Sequence, residues 1–214
     1  MPKIVDAAAR RQEVVEAVFR IIAADGLERA SLREVADEAG LAVGSVRHYF
    51  ASSEDLLVHS FGVVVDRVTG RLAGSREHLG SLAPGTQEHR DGVLTLLGQF
   101  LPLDEERAVD ACVWMAFKNA ARIRPFLAAE ADRSHRAVAA VVGWLIMELR
   151  APWQAGVDDG EAQQSLVTEA ERLLATLDGL TMHALLQPEW MTAEMCRDVL
   201  ASHLESLGQS PASH

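Results

Sequence analysis

Residues 31–57 read SLREVADEAGLAVGSVRHYFASSEDLL, and the fold turns on this stretch. Ser31 followed three positions later by Glu34 is a pattern in which a hydroxyl and a carboxylate satisfy the open amides at a helix start. Val35, Ala36 and Ala39 then recur at helical spacing on an inward face, and Gly40 stops the helix early. The small Ala39 lets two helices approach, Gly40 supplies a positive φ, and Leu41 plugs the gap. A third short helix is expected over residues 43–49, with Phe50 closing the unit. The run Ser52-Ser53-Glu54-Asp55 then caps a long fourth helix carrying Leu56, Leu57, Phe61, Val64, Val65, Val68 and Leu72.

Two short helices joined by an Ala-Gly-Leu turn and packed on longer ones make a helix-turn-helix. The second helix of such a pair lies in a DNA major groove, where every base pair shows a distinct pattern of donors and acceptors. The residues expected to face DNA are Ser31, Arg33, Val43, Gly44, Ser45, Arg47, His48 and Tyr49. Small residues permit close approach, Ser45 can donate or accept at a base edge, and Arg47 can pair with guanine or phosphate. The plainer alternative is a compact three-helix packing unit with no ligand.

Outward from this segment the chain reads as helix throughout. A first helix is expected over residues 5–25, with Val14, Val15, Val18, Phe19 and Ile22 as its apolar stripe and Gly26 as its stop. Residues 80–85, with Pro84, read as a loop. Further helices are expected over residues 87–101, 104–122, 125–150, 161–186 and from Thr192 to about 207, with a polar connector over 154–160. The expected class is therefore all-α, with about nine helices. An N-terminal helix-turn-helix domain over residues 1–52 would precede a larger helical ligand-binding and dimerisation domain over 53–208 and a flexible tail over 209–214. The core must be built from aliphatic residues, because 49% of the chain is apolar and only 5% aromatic.

Charge alone would not point to nucleic acid, since the net charge is -11. Within residues 1–50, however, Lys3, Arg10, Arg11, Arg20, Arg29, Arg33 and Arg47 stand against eight acids. The acidity thus lies mostly after residue 50, and a near-neutral module binds DNA if its cations face the phosphates. Cys112 and Cys196 stand far apart in apolar helical patterns and read as reduced, buried thiols. No basic-then-apolar leader opens the sequence and no apolar run reaches the ~18 residues of a membrane span, so a soluble, cytoplasmic protein is expected. The histidines are scattered without metal-ligand spacing, and there is no glycine-rich phosphate loop or nucleophile elbow. No cofactor, metal or catalytic residue is expected.

The segment resembles the TetR family of repressors. The likeness rests on Ser31, Val35-Ala36, Ala39-Gly40-Leu41, Gly44-Ser45-Val46, the ending His48-Tyr49-Phe50, and Leu56-Leu57. Residues 43–50 together with Leu101-Pro102-Leu103-Asp104 are similar to the BetI-like subgroup. Three positions depart from the family pattern. Ala42 stands where Ser or Thr usually caps the recognition helix, Arg47 replaces a usual Tyr, and Ser53 replaces a usual Lys that would meet a phosphate.

The resemblance implies a homodimer on double-stranded operator DNA, released by a small-molecule inducer. Dimer contacts would come from the last two long helices through Leu166, Ala170, Leu173, Leu177, Leu180, Met195, Val199 and Leu204, though these faces could equally pack within one chain. The ligand would lie among helices four to seven, against Phe61, Trp114, Phe117, Phe126, Trp144, Met147 and Trp153. Trp faces suit a cationic ligand, with Glu148 as a candidate counter-charge, although large aromatics at helical spacing also serve as plain core. BetI-like proteins are associated with choline. The fourth helix would act as the lever between ligand and DNA.

Overall fold

The computed structural model describes residues 7–150 and 159–207, and these contain nine α-helices and no strand. They are α1 Ala7–Asp25, α2 Leu32–Glu38, α3 Val43–Tyr49, α4 Ser53–Gly80, α5 Gln87–Gly98, α6 Glu105–Ala121, α7 Ala128–Arg150, α8 Asp159–Leu186 and α9 Ala193–Leu207. Single 3-10 turns stand at Leu27–Arg29 and Pro125–Leu127. The all-α expectation and the bounds of α3 agree with this architecture.

Local chemistry sets the helix starts. The Ser31 side chain accepts the Glu34 amide at 3.2 Å, but the reciprocal half of the expected capping box is absent: the Glu34 carboxylate pairs with Arg29 at 3.2 Å. The Ser31 amide instead donates to the Arg29 carbonyl at 2.8 Å. At α4 Ser52 accepts the Asp55 amide at 3.0 Å, and the Asp55 carboxylate in return accepts the amide of Ala51, one residue before the cap, at 3.0 Å. Asp104 caps α6 by accepting the Arg107 amide at 2.8 Å, and that bond holds its carboxyl below the ordinary range. Thr86 and Thr192 cap α5 and α9 in the same way.

Two expected boundaries shift, while α4 runs to Gly80, where the expected loop begins. α5 stops at Gly98 rather than near 101, because the amides of Gln99, Phe100 and Leu101 turn back to carbonyls three residues earlier, tightening the chain ahead of Pro102. Pro125 opens a 3-10 turn, and α7 itself begins only at Ala128. Of the expected connector, residues 154–158 lie outside the described residues while 159 and 160 already belong to α8. The expected tail over 209–214 and Trp153 also lie outside them.

Packing divides the chain into two compact units. One combines the chain up to Arg67 with Val109–Arg133; the other combines Val68–Ala108 with the residues from Ser134 onward. This grouping differs from a split in chain order at residue 52. The first turns of α4 and most of α6 join the N-terminal helices because they complete one core. Val15, Val18 and Phe19 of α1, Val35 of α2, Val46 of α3, Phe61 of α4 and Phe117 of α6 are all essentially solvent-free in it. α1 with two short helices would bury too little surface to stand alone, which is why α4 and α6 are recruited.

In the second unit α9 packs on α8 and α5. Leu96, Leu97 and Leu101 are fully buried, as are Val142, Leu145 and Ile146 of α7 and Leu173 of α8. Thr181 of α8 donates its hydroxyl to the Phe100 carbonyl at 3.3 Å, satisfying a group left open by the turn after α5.

Candidate nucleic-acid interface

The turn between α2 and α3 is closed by the Leu41 amide donating to the Ala36 carbonyl at 2.9 Å. Gly40 sits at φ +65°, a region that costs an L side chain roughly 1–2 kcal/mol. A Cβ there would meet nothing within 4 Å. Gly40→Ala is therefore expected to destabilise the protein by about 1 kcal/mol through backbone conformation alone, and Gly40→Asn by less. Thermal melts of the two variants check this, and equal losses would point to crowding instead.

α3 is anchored from below by Val46 and Phe50, each 0% exposed. Gly44, Ser45, Arg47 and His48 lie on its solvent side, while Val43 and Tyr49 are half-buried and pack against the core. Ser31 and Arg33 at the start of α2 are exposed as well. Of the eight residues expected at DNA, six are thus fully open. Ala42 caps α3 without a side-chain hydrogen bond, as its methyl requires, so the helix depends on its anchors.

The far end of α3 is held by a residue that sequence reasoning missed. Arg11 of α1 donates to the Tyr49 carbonyl at 3.2 Å, and its guanidinium lies 5.2 Å above the Phe50 ring centroid. His59 of α4 packs against the same ring at 5.4 Å, and burial together with Arg11 pushes its pKa down. No local motif could have revealed the contact, because Arg11 and Tyr49 stand 38 positions apart.

The cations of this unit divide by partner. Arg10 pairs with Glu13 at 2.6 Å, Arg20 with Glu38 at 2.5 Å and Arg29 with Glu34 at 3.2 Å. Among the described residues, exposed Arg33 and Arg47 have no acidic partner. These two side chains remain available to phosphate or base edges.

The residues expected at a ligand are divided between the two units. Phe61 and Phe117 are stacked at 4.9 Å and 8°, with Trp114 edge-on to Phe61 at 6.5 Å, inside the core of the first unit. Phe126 packs on that same core. In the second unit, Trp144 is half-buried with the Arg76 guanidinium 4.5 Å from its ring centroid, and Met147 and Glu148 are exposed on the same helix.

The residues expected at a dimer face divide likewise. Leu173, Leu177 and Leu180 are already covered by their own chain, so they cannot offer area to a partner. Leu166, Ala170, Val199 and Leu204 are half-buried and Met195 is 39% exposed. The apolar side chains left most open on α8 and just beyond it are Leu186 and Trp190, 73% and 74% exposed.

A short helix seated on two buried anchors, preceded by a closed glycine turn and carrying a polar outer face, defines a helix-turn-helix DNA-binding protein. Residues 14–59 match the family described as bacterial regulatory proteins, tetR family, and residues 89–209 match the BetI-type transcriptional repressor, C-terminal. The chain belongs to the TetR family of transcriptional regulators, with a C-terminal region of BetI type. It is 33% identical over 207 residues to the HTH-type transcriptional regulator PksA of Bacillus subtilis (strain 168), covering 97% of this chain and 94% of that relative. A solved transcriptional regulator from Rhodococcus sp. Rha1 is similar with a TM-score of 0.74 at 27% identity, over 92% of this chain and 95% of the other. The same fold, with a TM-score of 0.74 at 21% identity, occurs in a Saccharomonospora viridis protein solved in complex with choline; the match covers 92% of this chain and 96% of that one.

Proposed function

We propose that this regulator is a repressor that binds a palindromic operator as a homodimer and is released by a small cationic inducer. The observation that carries the DNA half is the outer face of α3: Gly44, Ser45, Arg47 and His48 are open on a helix whose underside is fixed by Val46 and Phe50. One such helix reads only a half-site, so tight specific binding calls for two copies about one DNA turn apart. α8 and α9 of each protomer supply the pairing surface through Leu186, Trp190 and Met195, with Leu166, Ala170, Val199 and Leu204 beside them. Leu173, Leu177 and Leu180 support that surface from within.

Two observations favour a cationic inducer. The Trp144 ring already attracts the Arg76 guanidinium, so its face suits a positive charge, and Glu148 lies one turn along α7. The fold is shared with a protein that holds choline. The inducer binds more tightly to a conformation in which the recognition helices are wrongly spaced, and so lowers operator affinity by its differential affinity for the two states.

Selection of bound sites from random duplex DNA tests this reading. An inverted repeat should be enriched, whereas a single asymmetric half-site would reject the dimer. Arg33 of each protomer on phosphate gives a slope of about −2 for log affinity against log salt, deepening to about −4 if Arg47 meets phosphate as well. Choline is the first inducer to titrate. It should quench or shift tryptophan emission and weaken the selected complex, and no response to choline or to larger organic cations rejects the cationic reading alone.

A further inference from the structure

We propose that Arg67 is a positioning residue for operator recognition, joining buried Asp110 of α6 to a polar route along α1 that ends on the last carbonyl of α3. Every member of the route lies in the first compact unit. Asp110 is 1% exposed, and Arg67 of α4 donates to it at 3.3 Å. The other arm of the same guanidinium pairs with Glu16 of α1, and its plane covers the Phe19 ring at 4.8 Å. Arg67 of α4 therefore ties its helix to α6 and α1 through three contacts, two ion pairs and one ring face.

From Glu16 the route continues toward the recognition helix. Gln12, one turn earlier on α1, donates to the Glu16 carboxylate at 2.6 Å. The neighbouring Arg11 holds the Tyr49 carbonyl and covers Phe50. A rotation of α1 that followed Glu16 would carry Arg11 with it, because one rigid helix bears both. A displacement of α6 at Asp110 thus has a mechanical outlet at the C-terminal end of α3. This route passes through α1 and does not depend on α4 acting as the sole lever.

Arg is the residue such a junction needs. Its planar fork reaches two carboxylates in fixed directions while its face stacks on an aromatic ring, and Lys can do only one of these at a time. Arg133 offers an internal comparison. It ties α7 to α4 through Asp66 at 2.9 Å and the Gly62 carbonyl at 3.2 Å, and among the described residues it makes no hydrogen bond or ion pair to α1 or α3.

The proposal rests on α3 being the DNA-reading helix, and a double-mutant cycle separates the two ideas. Asp110→Asn and Arg11→Gln are combined in the full chain, and affinity is measured for a duplex recovered by selection. Sites this far apart without coupling add to within about twofold. The route predicts a departure from additivity of at least about fivefold, lost in an Arg67→Met background. Arg67→Lys should not restore it, whereas Asp66→Asn in place of Asp110→Asn should give additivity.

Additive effects of Asp110→Asn and Arg11→Gln would overturn the proposal. If the wild-type chain bound no duplex at all, the reading of α3 would fail by itself, and hydrogen exchange still decides the route. Asp110→Asn should then speed exchange of the Val46 and Phe50 amides relative to Asp66→Asn. Equal protection in the two variants would overturn it. Arg67→Met, if it fails to fold, is replaced by Arg67→Gln, which keeps a donor but not the charge.

Discussion

Phe50→Ala is expected to cost the protein about 3–5 kcal/mol and to abolish DNA binding before the whole chain unfolds. The ring is 0% exposed, and its backbone closes α3 with an amide donated to the Val46 carbonyl at 3.0 Å. It is the point where three elements meet. Arg11 of α1 lies over one side, His59 of α4 tilts against the ring, and α3 ends at its amide. Truncation leaves a void that these neighbours cannot fill, since Arg11 is held by the Tyr49 carbonyl and His59 by the helix that bears it.

The cost divides into two readouts. In a chain of 214 residues about 2–4 °C of melting temperature is lost per kcal/mol, so calorimetry should show a fall of about 6–20 °C. Local opening matters more for function. α3 has only seven residues and no side-chain N-cap, so once its C-terminal anchor is gone its intrinsic helix propensity cannot hold it. Hydrogen exchange at α3 should rise well before the melt, and Phe50→Leu should recover much of both losses. A variant that loses less than 1 kcal/mol would mean that α3 is not seated by this ring.

The Phe50 contacts also indicate where sequence reasoning succeeds and where it stops. α3 could be bounded from the sequence because its limits are set by local chemistry: a glycine needing positive φ before it and an aromatic anchor after it. Leucine spacing predicts an α5 that continues to Leu101, three residues beyond its end at Gly98, because spacing does not register the backbone tightening ahead of Pro102. Apolar periodicity marks a face but not its partner. Leu173, Leu177 and Leu180 look the same in sequence whether they meet α9, α5 or a second copy, and in the fold they are buried by their own chain. The aromatic residues behave alike, for Phe61 and Phe117 stack on each other inside a core whereas Trp144 meets an arginine. Arg11 and Arg67 were not legible as structural residues at all, since their partners stand 38 and 43 positions away.

Arg47→Ala should do the opposite of Phe50→Ala, leaving the fold intact while removing DNA affinity. Arg47 is exposed in the last turn of α3, where a cation interacts favourably with the helix dipole for only about 0.3–1 kcal/mol. Its melting temperature should therefore change little. The loss on DNA is larger because an arginine that bridges a guanine or a phosphate contributes about 1–3 kcal/mol per half-site. In the proposed homodimer two half-sites double this to about 2–6 kcal/mol, a fall of roughly 30-fold to more than 10⁴-fold in operator affinity. Which contact it makes follows from the salt dependence and from Arg47→Lys. A phosphate contact predicts that lysine restores most of the affinity and that Arg47→Ala makes the salt slope shallower by about two in the dimer. A guanine contact predicts an unchanged slope, no rescue by lysine because the bidentate fork is lost, and relaxed base preference at one symmetric pair of positions. The guanine reading is favoured. Tyr is the usual family residue at this position, so arginine here adds a charged fork on a face already kept open by Gly44 and Ser45, which lets the backbone approach the groove floor. Unaltered affinity in Arg47→Ala would remove α3's C-terminal half from the interface and leave Gly44, Ser45 and Arg33 as the reading surface.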